Sequence, residues 1–325
     1  GDILLDRGVA RQVTVAGKGI DFPWNGGSVE IVRRDCCSPF GHRLPVARST
    51  GNEGGVRRLI SGADMAMANL ESPVERDARY HAYGTTFTGD ARLLAGLQNA
   101  GFDFLSLANN HIGDGGASAI RETVGELDRL GIAHAGAGRD VAAAAAPAYL
   151  DAAGQRVAII SCSVVGRDFA SRSGAGGLRC RDEQTLEQIG LARAEADVVI
   201  VTPHWGREYQ AEPSRAQRRL AASWLEAGAD LVIGHHSHWA GAIEEIGGRL
   251  VFYSLGNLVF DQDWSEPTMQ GLLLELTFNG RRLVQAWPHP TLIVEDAQPN
   301  LLDYEGGGRR VLERVRRASE GMFDY

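Results

Sequence analysis

Long apolar runs, cysteine pairs of the CxxC type and clusters of basic residues are all scarce in this sequence of 325 residues. No stretch approaches the roughly 20 apolar residues that a membrane-spanning helix needs, and no signal peptide is visible. The chain opens on Gly1 and Asp2 followed by apolar residues, which is typical of the end of a strand whose start is missing. The sequence therefore predicts no transmembrane segment, and whether a targeting segment precedes residue 1 stays open.

The chain has only four cysteines, Cys36, Cys37, Cys162 and Cys180. The absence of CxxC spacing argues against a structural zinc cluster, and four cysteines are too few for a disulfide scaffold. Cys36 and Cys37 are adjacent, so we do not expect them to bridge each other. A bridge between Cys162 and Cys180, or one from the adjacent pair, stays open, and with it the redox compartment.

The charge balance is acidic, with a formal net charge of −8. A nucleic-acid-binding face needs clustered Lys and Arg, so no nucleic-acid partner is expected. The most basic run, residues 309–317, fits the solvated side of a terminal helix. With 44% hydrophobic and 23% charged residues, the composition is that of an ordinary globular protein with a sizeable core.

Helical and strand patterns alternate through the middle of the chain, which predicts a mostly parallel sheet buried on both faces. Glycines such as Gly101 and Gly131 stand where helices are expected to end. The predicted helices are 91–100, 119–130, 183–196 and 214–228, and the predicted strands are 102–108, 132–136, 156–165, 197–203 and 230–234.

The last third has the pattern of antiparallel hairpins. Residues 242–255 predict two strands joined at Gly247 and Gly248, and residues 271–288 predict a hairpin that turns at Asn279 and Gly280. Together these patterns predict an α/β sandwich with two facing sheets. We expect a single domain over 1–325, with an irregular insertion at about 13–57 and a helical tail at about 300–325.

Polar, ligand-competent residues follow each predicted strand. Because ligands bind beyond the carboxyl ends of strands in open α/β sheets, these residues are expected to meet in one crevice. Taken singly, each has an ordinary explanation: a turn for Asp2, a helix cap for the asparagines, a satisfied core histidine for His204. Capping does not explain carboxylates, amides and imidazoles at five strand ends, namely Asp2; Asn69 and Glu71; Asn109, Asn110, His111 and Asp114; His204 and Glu208; and His235, His236 and His238.

Such a set of ligands predicts a centre for one or two divalent cations. A carboxylate can bridge two metals roughly 3.5–4 Å apart. Mixed nitrogen and oxygen ligands suit Mn, Fe, Zn or Ni better than Ca or Mg. A histidine that is not a ligand could then protonate a leaving group.

Six ordered sequence blocks resemble the signature blocks of the poly-gamma-glutamate capsule biosynthesis family of the CapA type, within the calcineurin-like metallophosphatase superfamily. They are GDILLDRG, NLESP, LANNHIGDGG, PHWGREY, GHHSH and YSLGNLVFDQ, and they span residues 1–262. The resemblance implies a four-layer αββα sandwich with mixed sheets and antiparallel C-terminal hairpins. It also implies a location at the cell envelope.

The resemblance further implies roles for the strand-end residues. His111 would be the acid, oriented by Asp114, and Asn109, Trp205, Glu208, Tyr253 and Asn257 would line the substrate crevice, although a buried strand would also explain Tyr253. Asp6 and Arg7 fit the first block of the family, where Arg7 would either clamp a carboxylate or phosphate or form a structural salt bridge. The implied metal ligands are Asp2, Glu71, Asn110, His204, His236 and His238, with His235 as an additional histidine whose assignment is interchangeable with that of His236.

Two departures from the superfamily pattern bear on the metal. Its first block normally reads D-x-H, but Leu4 stands in the histidine position, and Glu71 replaces the usual bridging aspartate. We therefore expect one tight and one loose metal position, or a harder metal such as Ca or Mg.

Three functions follow as hypotheses. The first is a metal-dependent hydrolase of phosphoester or amide bonds that acts on an anionic polymer or peptide in capsule or envelope metabolism. The second is a metal-dependent peptide epimerase in which Asp2 or Asp6 faces a histidine. The third is a non-catalytic, metal-stabilised component that partners a capsule synthase.

Overall fold

The structure is a computed structural model that describes residues 1–78 and 80–323, with Asp182 described by its backbone alone. Among these residues no helix has both the length and the apolar composition to cross a bilayer. The strands are β1 (Asp2–Ile3), β2 (Ser28–Asp35), β3 (Leu44–Gly51), β4 (Met67–Leu70), β5 (Val74–Glu75), β6 (Gly89–Asp90), β7 (Phe104–Ser106), β8 (Ala133–Ala135), β9 (Ala137–Gly138), β10 (Ala148–Ala152), β11 (Gln155–Ser163), β12 (Gly176–Gly177), β13 (Val198–His204), β14 (Leu231–Ile233), β15 (Ile243–Ile246), β16 (Arg249–Phe252), β17 (Asn257–Val259), β18 (Gln270–Asn279), β19 (Arg282–Val294) and β20 (Gln298–Leu302).

The helices follow the predicted order, and their ends carry the expected signals. Ser214 caps α7 in a reciprocal capping box with Gln217, and Gly131 ends α4 with a φ of 70° that a side chain would disfavour. The helices are α1 (Arg7–Ala10), α2 (Gly55–Ser61), α3 (Leu94–Ala100), α4 (Gly116–Leu130), α5 (Val141–Ala145), α6 (Asp182–Glu195), α7 (Arg215–Ala227) and α8 (Gly307–Ala318), with a π-helical turn at Arg11–Val15 and 3₁₀ turns at Phe22–Asn25, Ala91–Leu93 and Pro267–Met269.

Two sheets form the centre of the molecule. The first has the strand order β17-β1-β4-β7-β8, and all of its neighbours pair in parallel. The second has the order β10-β11-β13-β14-β16-β15, with a parallel centre and antiparallel pairs at both edges. Strand β13 is buried along its whole length, which explains the apolar run over residues 198–201.

Helices cover the outer face of each central sheet. Leu97 of α3 and Leu127 of α4 share one apolar cluster with the first sheet, and Ile189 of α6 and Trp224 of α7 share another with the second. A third cluster fills the space between the sheets, where Phe104 of the first sheet meets side chains of the second. The four-layer αββα sandwich with antiparallel C-terminal hairpins is therefore confirmed.

A third, five-stranded sheet has the order β18-β19-β20-β2-β3. Strands β2 and β3 form a hairpin over residues 28–51, so the prediction of an irregular insertion at 13–57 is wrong for this stretch. The pattern was hidden because one face of the hairpin is exposed and carries charged pairs such as Arg48 with Glu30. The helical tail begins at Gly307, and residues 324 and 325 lie outside the described residues.

Both cysteine pairs are bonded in the structure. Cys162, at the end of β11, bonds Cys180, with 4.9 Å between their Cα atoms. Cys36 bonds Cys37 just after β2, which corrects the expectation that the adjacent cysteines stay apart. The first bond ties a central strand to the segment before α6.

Candidate metal centre

The strand-end residues do meet in one buried place. Asp2 lies in β1, Glu71 directly follows β4, His204 ends β13, and His238 lies in the loop after β14. These four side chains come from both central sheets, and each residue is at most 2% exposed. The carboxyl ends of the parallel strands thus bring chain segments more than 200 residues apart into contact.

The candidate ligand atoms form two groups that share one carboxylate. Glu71, His204 and His236 can each offer an atom such that all three lie within 4.8 Å of one another, and Asp2, Glu71 and His238 can do the same. Glu71 Oε1 lies 3.6 Å from His204 Nε2 and 3.7 Å from His238 Nε2.

Asn110 adds an amide oxygen to the first of these groups, because its Oδ1 lies 2.7 Å from His204 Nε2. We call Glu71, Asn110, His204 and His236 the His204 group, and Asp2, Glu71 and His238 the Asp2 group. A shared carboxylate between two groups of ligands is the arrangement that holds two cations side by side.

The buried polar atoms of the centre fit a cation. Glu71 Oε1 and His236 Nδ1 are buried without a hydrogen-bond partner among the described residues. Asn69 Nδ2 lies between the two carboxylates, 2.9 Å from Asp2 Oδ1 and 3.2 Å from Glu71 Oε2. Burial, followed by the charge of Asp2, raises the pKa of Glu71 well above its usual value. A positive charge close by would therefore keep the Glu71 carboxyl ionised beside Asp2.

The histidines of the centre are in the form that binds metals. Burial is the main cause that lowers the pKa of His204, His235 and His238, and it lowers that of His236 to about 3. Burial alone would raise the pKa of Asp2, but the neighbouring His235 lowers it below its usual value. Neutral imidazoles beside an ionised carboxylate are ready to coordinate a cation without losing protons.

The loop that carries the closing histidines has a strained backbone. His236 and His238 have φ values of 96° and 56°, in the left-handed region that non-glycine residues rarely adopt. Just before them, a Cβ on Gly234 would lie 2.3 Å from Trp205 Nε1. Strain at both histidines is consistent with a loop shaped for its ligands.

Trp205 and Tyr253 do not line the crevice, contrary to the sequence-based expectation. Both are buried in the core, and Trp205 stacks against Trp224 and Tyr253 at ring-centroid distances of 5.3 and 5.7 Å. Trp205 Nε1 donates to the Tyr253 carbonyl, and the Tyr253 hydroxyl donates to Glu244. Their aromatic character reflects packing beneath the histidine loop.

Asn257 is buried as well, but it contacts His238, a candidate ligand. Its Oδ1 lies 2.9 Å from His238 Nδ1, while its Nδ2 donates to Gln262 Oε1 and to the Thr268 carbonyl. Because both amide hydrogens are used, Oδ1 accepts from Nδ1–H of the imidazole. His238 therefore turns its unprotonated Nε2 towards Glu71.

His235 lies beside the ligands without joining either group. Its Nδ1 is 3.1 Å from Asp2 Oδ1, and the main-chain N–H of His236 lies 3.3 Å from Asp2 Oδ2. The sequence placed His235 among the ligands, whereas in the structure it is a neighbour of Asp2 whose ring nitrogens have no hydrogen-bond partner among the described residues.

His111 and Asp114 form a pair at the edge of the centre. His111 Nδ1 lies 2.8 Å from Asp114 Oδ2, which also accepts from the Phe87 main-chain N–H at 2.8 Å. Asn109 Oδ1 accepts from the His111 main-chain N–H, so Asn109 positions this segment instead of facing a crevice. The imidazole packs on the Phe87 ring with 4.3 Å between centroids.

Asp6 and Arg7 are engaged in structural contacts. The buried Asp6 carboxylate accepts from the main-chain N–H groups of Arg7, His81 and Thr88 and contacts His81 Nδ1. Arg7 pairs with Asp261 and donates to the Gly84 carbonyl. The alternative of a structural salt bridge thus describes Arg7, and these contacts leave Asp6 no free oxygen for proton transfer.

Leu4 occupies an apolar environment next to the centre. It is fully buried in a cluster with Phe87, Phe260 and Ile293. The Phe260 ring in turn lies against the His238 ring, with 5.0 Å between centroids. Hydrophobic packing has therefore taken the place of the ligand expected at position 4.

Sequence reasoning missed two residues at the centre. Asn69 was noted at a strand end but given no role, although it stands two residues before Glu71, on the strand β4 that leads into the centre. Tyr209, whose ring lies 6.2 Å from that of His238, carries no local signal in the sequence. Its pKa is raised to about 12 by burial and by neighbouring Glu208, which places that exposed carboxylate close by.

The sequence was compared with known families. Residues 1–262 match the family described as bacterial capsule synthesis protein PGA_cap. The chain belongs to this family.

Relatives in the family carry names from capsule synthesis. The chain is 33% identical over 223 residues to the PGA biosynthesis protein CapA of Bacillus subtilis (strain 168). The aligned region covers 67% of this chain and 59% of that protein. The chain is 31% identical over 255 residues to the capsule biosynthesis protein CapA of Bacillus anthracis, with coverages of 75% and 61%. The chain thus spans about three-fifths of the length of these relatives.

The chain is also similar to solved structures, at lower sequence identity than to these relatives. A hypothetical protein from Thermus thermophilus is 18% identical with a TM-score of 0.45, covering 72% of this chain and 90% of that one. A novel phosphatase from Mycoplasma pneumoniae is 12% identical with a TM-score of 0.44, covering 80% and 92%.

Proposed function

We propose that this protein is a metal-dependent hydrolase of capsule or cell-envelope polymer metabolism, acting on a phosphoester or amide bond of an anionic polymer or peptide. The observation that carries the proposal is the pair of ligand groups that share Glu71, with the His111–Asp114 pair beside them. Membership in the capsule synthesis family supports the polymer class, a location at the cell envelope and partnership with synthase components.

The residues of the centre suit Mn, Fe or Zn, since imidazole and carboxylate ligands are mixed. Cations held there would polarise the bond to be broken and lower the pKa of a water molecule. Asn69, Asn257 and the main-chain N–H of His236 would keep the candidate ligands oriented through the contacts described above. Such supporting hydrogen bonds matter for metal affinity because they fix the ligand atoms before binding.

In this proposal, His111 is the residue that would move a proton. With Asp114 accepting from Nδ1–H, the neutral imidazole presents Nε2 as the free nitrogen, and its protonated form can donate from that atom. Phe87 packs on the ring and, through its main-chain N–H, fixes Asp114. A positioned acid or base of this kind contributes typically 10²–10⁴-fold to a hydrolytic rate.

The test is a substitution in the purified protein with its native metal restored. We expect His111→Asn to lower hydrolysis of phosphoester or gamma-glutamyl amide substrates about 100-fold, with the metal content from elemental analysis unchanged. His134→Asn is the matched control, because His134 makes a comparable contact to Asp128 at 3.1 Å away from the centre. Absence of metal-stimulated hydrolysis with both substrate classes would contradict the proposal.

A non-catalytic role is the competing proposal, and Leu4 in place of a ligand is the observation that favours it. In that case the metal stabilises a component of a polymer synthase. Polymer production in cells that carry the His111→Asn protein separates the two, since full production supports the non-catalytic role. Deuterium incorporation into a peptide without net hydrolysis would indicate epimerisation instead.

A further inference from the structure

The bond between Cys162 and Cys180 closes a loop directly beside the His204 group. Cys162 is the last residue but one of β11, and the next residue, Ser163, pairs with His204 in the parallel ladder between β11 and β13. Cys180 lies two residues before the start of α6. We call residues 163–179, which lie between the bonded cysteines, the disulfide loop.

The start of the disulfide loop is hydrogen-bonded to the main chain of His204. The Val164 main-chain N–H donates to the His204 carbonyl at 2.9 Å, and Ser163 Oγ lies 3.2 Å from the same oxygen. The two ends of the loop are also bound to each other. The Ser163 N–H donates to the Leu178 carbonyl at 2.8 Å, and the Cys180 N–H donates to the Ser163 carbonyl at 2.9 Å. The loop is therefore closed at the strand end that carries His204.

The middle of the disulfide loop packs against the segment that carries Asn110. A Cβ on Gly166 would lie 3.0 Å from Asn110 Cα, and a Cβ on Gly113 would lie 2.5 Å from Asp168 Cγ. Both contacts are too close for a further side chain to fit without movement. Asn110 in turn lies against His204, with 2.7 Å between Oδ1 and Nε2. The loop thus borders two members of the His204 group.

The Asp2 group takes its supporting contacts from other parts of the chain. Asn69 Nδ2 lies 2.9 Å from Asp2 Oδ1, and Asn257 Oδ1 lies 2.9 Å from His238 Nδ1. Asn69 belongs to β4 and Asn257 to β17, which are both strands of the first central sheet. The disulfide loop therefore adjoins the His204 group, and these supports of the Asp2 group lie outside it.

Between its ends, the disulfide loop contributes few buried side chains. Arg167, Asp168 and residues 171–173 are exposed, and β12 within the loop pairs with β9 over only two residues. Segments with little burial open at low cost in free energy. Because a disulfide removes conformations from the loop that it closes, opening this bond returns freedom to the whole segment.

We propose that the Cys162–Cys180 disulfide is a positioning element of the metal centre. It holds the disulfide loop against Asn110 and the main chain of His204, so the His204 group loses metal affinity when the bond is opened and the Asp2 group does not. This role rests on the metal centre of the proposed function, and it requires no hydrolysis.

A dithiol reductant such as dithiothreitol opens the bond. Cys180 is only partly buried, whereas Cys162 is fully buried, so the thiolate of the reductant attacks Sγ of Cys180 and forms a mixed disulfide. The Cys162 sulfur leaves as a thiolate and takes up a proton. The second thiol of the reductant then releases Cys180 as a thiol, and the reductant, which has given up two electrons, ends as a cyclic disulfide.

The test is a calorimetric titration of the protein with Mn²⁺ in the oxidised, reduced and reoxidised states. All samples carry Cys36→Ala and Cys37→Ala, which remove the exposed second bond, so that dithiothreitol acts on one bond. The reductant is removed before the titration. We expect reduction to weaken Mn²⁺ binding to the His204 group about tenfold to 100-fold, the range typical for loss of a supporting contact. Reoxidation should restore the affinity.

Variants of the ligands assign the effect to one group. His238→Ala leaves the His204 group complete, so its Mn²⁺ affinity should fall on reduction. His204→Ala combined with His236→Ala leaves the Asp2 group complete, and its affinity should be the same in both states. Cys180→Ala, which removes the bond and leaves the buried Cys162 in place, should reproduce the reduced state without any reductant.

Limited proteolysis of the metal-free protein follows the loop independently of any metal. Arg172 is exposed in the disulfide loop, and trypsin should cleave after it faster in the reduced protein than in the oxidised protein. An equal rate of cleavage in both states would mean that the loop stays closed without the bond, which contradicts the positioning role.

Three further results would overturn this role. Equal loss of Mn²⁺ from both groups, together with a lower melting temperature, would show that the bond stabilises the fold as a whole. Unchanged Mn²⁺ binding in the reduced protein and in Cys180→Ala would show that the bond positions no ligand. If no state binds Mn²⁺, the positioning role and the candidate metal centre fall together. A protein whose Mn²⁺ binding follows the state of the bond but which hydrolyses nothing would keep the positioning role and overturn the proposed reaction.

Discussion

The two ligand groups of the centre share Glu71, yet they are built differently. Besides Glu71, the His204 group has three ligands, whereas the Asp2 group has only Asp2 and His238. Where the family resemblance leads one to expect a further ligand, Leu4 packs among phenylalanines. The number of ligand atoms therefore predicts tighter binding in the His204 group.

The Asp2 group, which has fewer ligand atoms, has more supporting contacts than the His204 group. Asp2 is contacted by Asn69, by His235 and by the main-chain N–H of His236, and Asn257 holds His238. In the His204 group, the nearest support of His204 Nδ1 is Asn69 Nδ2 at 3.5 Å. The Asp2 group thus has fewer but better oriented ligands. Orientation recovers part of the affinity that the missing ligand would supply.

The largest effect is expected for the carboxylate that both groups share. Glu71→Gln should weaken metal binding to both groups by more than about 100-fold, because even loss of an outer hydrogen-bond partner typically weakens binding 10–100-fold. Elemental analysis after dialysis and calorimetric titration with Mn²⁺ would measure this. Glu126→Gln is the control, since Glu126 is a buried carboxylate paired with arginines elsewhere. Unchanged metal content in Glu71→Gln would remove the basis for a shared centre.

A pair of alanine variants tests the asymmetry directly. His238→Ala leaves the Asp2 group with two carboxylates, so we expect that position to lose its metal at concentrations where the other keeps it. His236→Ala leaves Asn110, His204 and Glu71, so the His204 group should retain a metal with about tenfold to 100-fold lower affinity. The number of metal ions per chain, measured for both variants side by side, decides the ranking. Equal losses in both would show that orientation outweighs ligand count.

The fold could be predicted from the sequence further than the site could. Alternating apolar strands and capped helices predicted the two central sheets because burial on both faces leaves a continuous apolar pattern, as in β13. The hairpin β2–β3 was missed because its exposed face carries charges that interrupt the alternation. Local patterns record burial, and they record little about strands that pair at an exposed edge.

Within the site, the sequence could predict which residues of ligand type stand at strand ends, but not which role each of them has. Trp205 and Asp6 stand in the right blocks, yet their contacts turn them into the core or saturate them with hydrogen bonds. His235 and His236 differ by one position, and only the backbone of the strained loop determines which one faces Glu71. Tertiary contacts of this kind leave no periodic signal in a sequence.

Restoring the missing ligand would sharpen the comparison between the groups. We expect Leu4→His to raise the affinity of the Asp2 group about tenfold, in line with one added coordinating interaction of modest geometry. The change buries a polar ring among Phe87, Phe260 and Ile293, so the metal-free protein should lose about 1–3 kcal/mol of stability. Leu4→Gln is the matched control, which carries the same penalty without an imidazole. Equal metal affinity in both variants would mean that position 4 does not face the centre.

The smallest expected effect concerns the metal-free protein in mild acid. Four histidines of the centre have a pKa below the usual value because they are buried, so below about pH 6.5 the unfolded chain takes up protons that the folded chain refuses. Folding stability therefore falls as the pH falls. Glu71 acts in the opposite direction, because its raised pKa lets the folded state take up a proton first.

Because four histidines oppose one carboxyl, the metal-free protein loses folding stability as the pH falls. The loss is at most about 1.4 kcal/mol per pH unit for each proton that the unfolded chain binds and the folded chain does not. Thermal unfolding of the metal-free protein should therefore shift down by a few degrees between pH 7 and pH 5.5. With metal restored the shift should shrink, since cations fix the carboxylates as anions and the imidazoles as neutral ligands in the folded state. His236→Ala should reduce the shift in the metal-free protein, because its pKa of about 3 makes it a full contributor. A melting temperature that rises towards pH 5.5 would mean that proton uptake by Glu71 outweighs the effect of the four histidines.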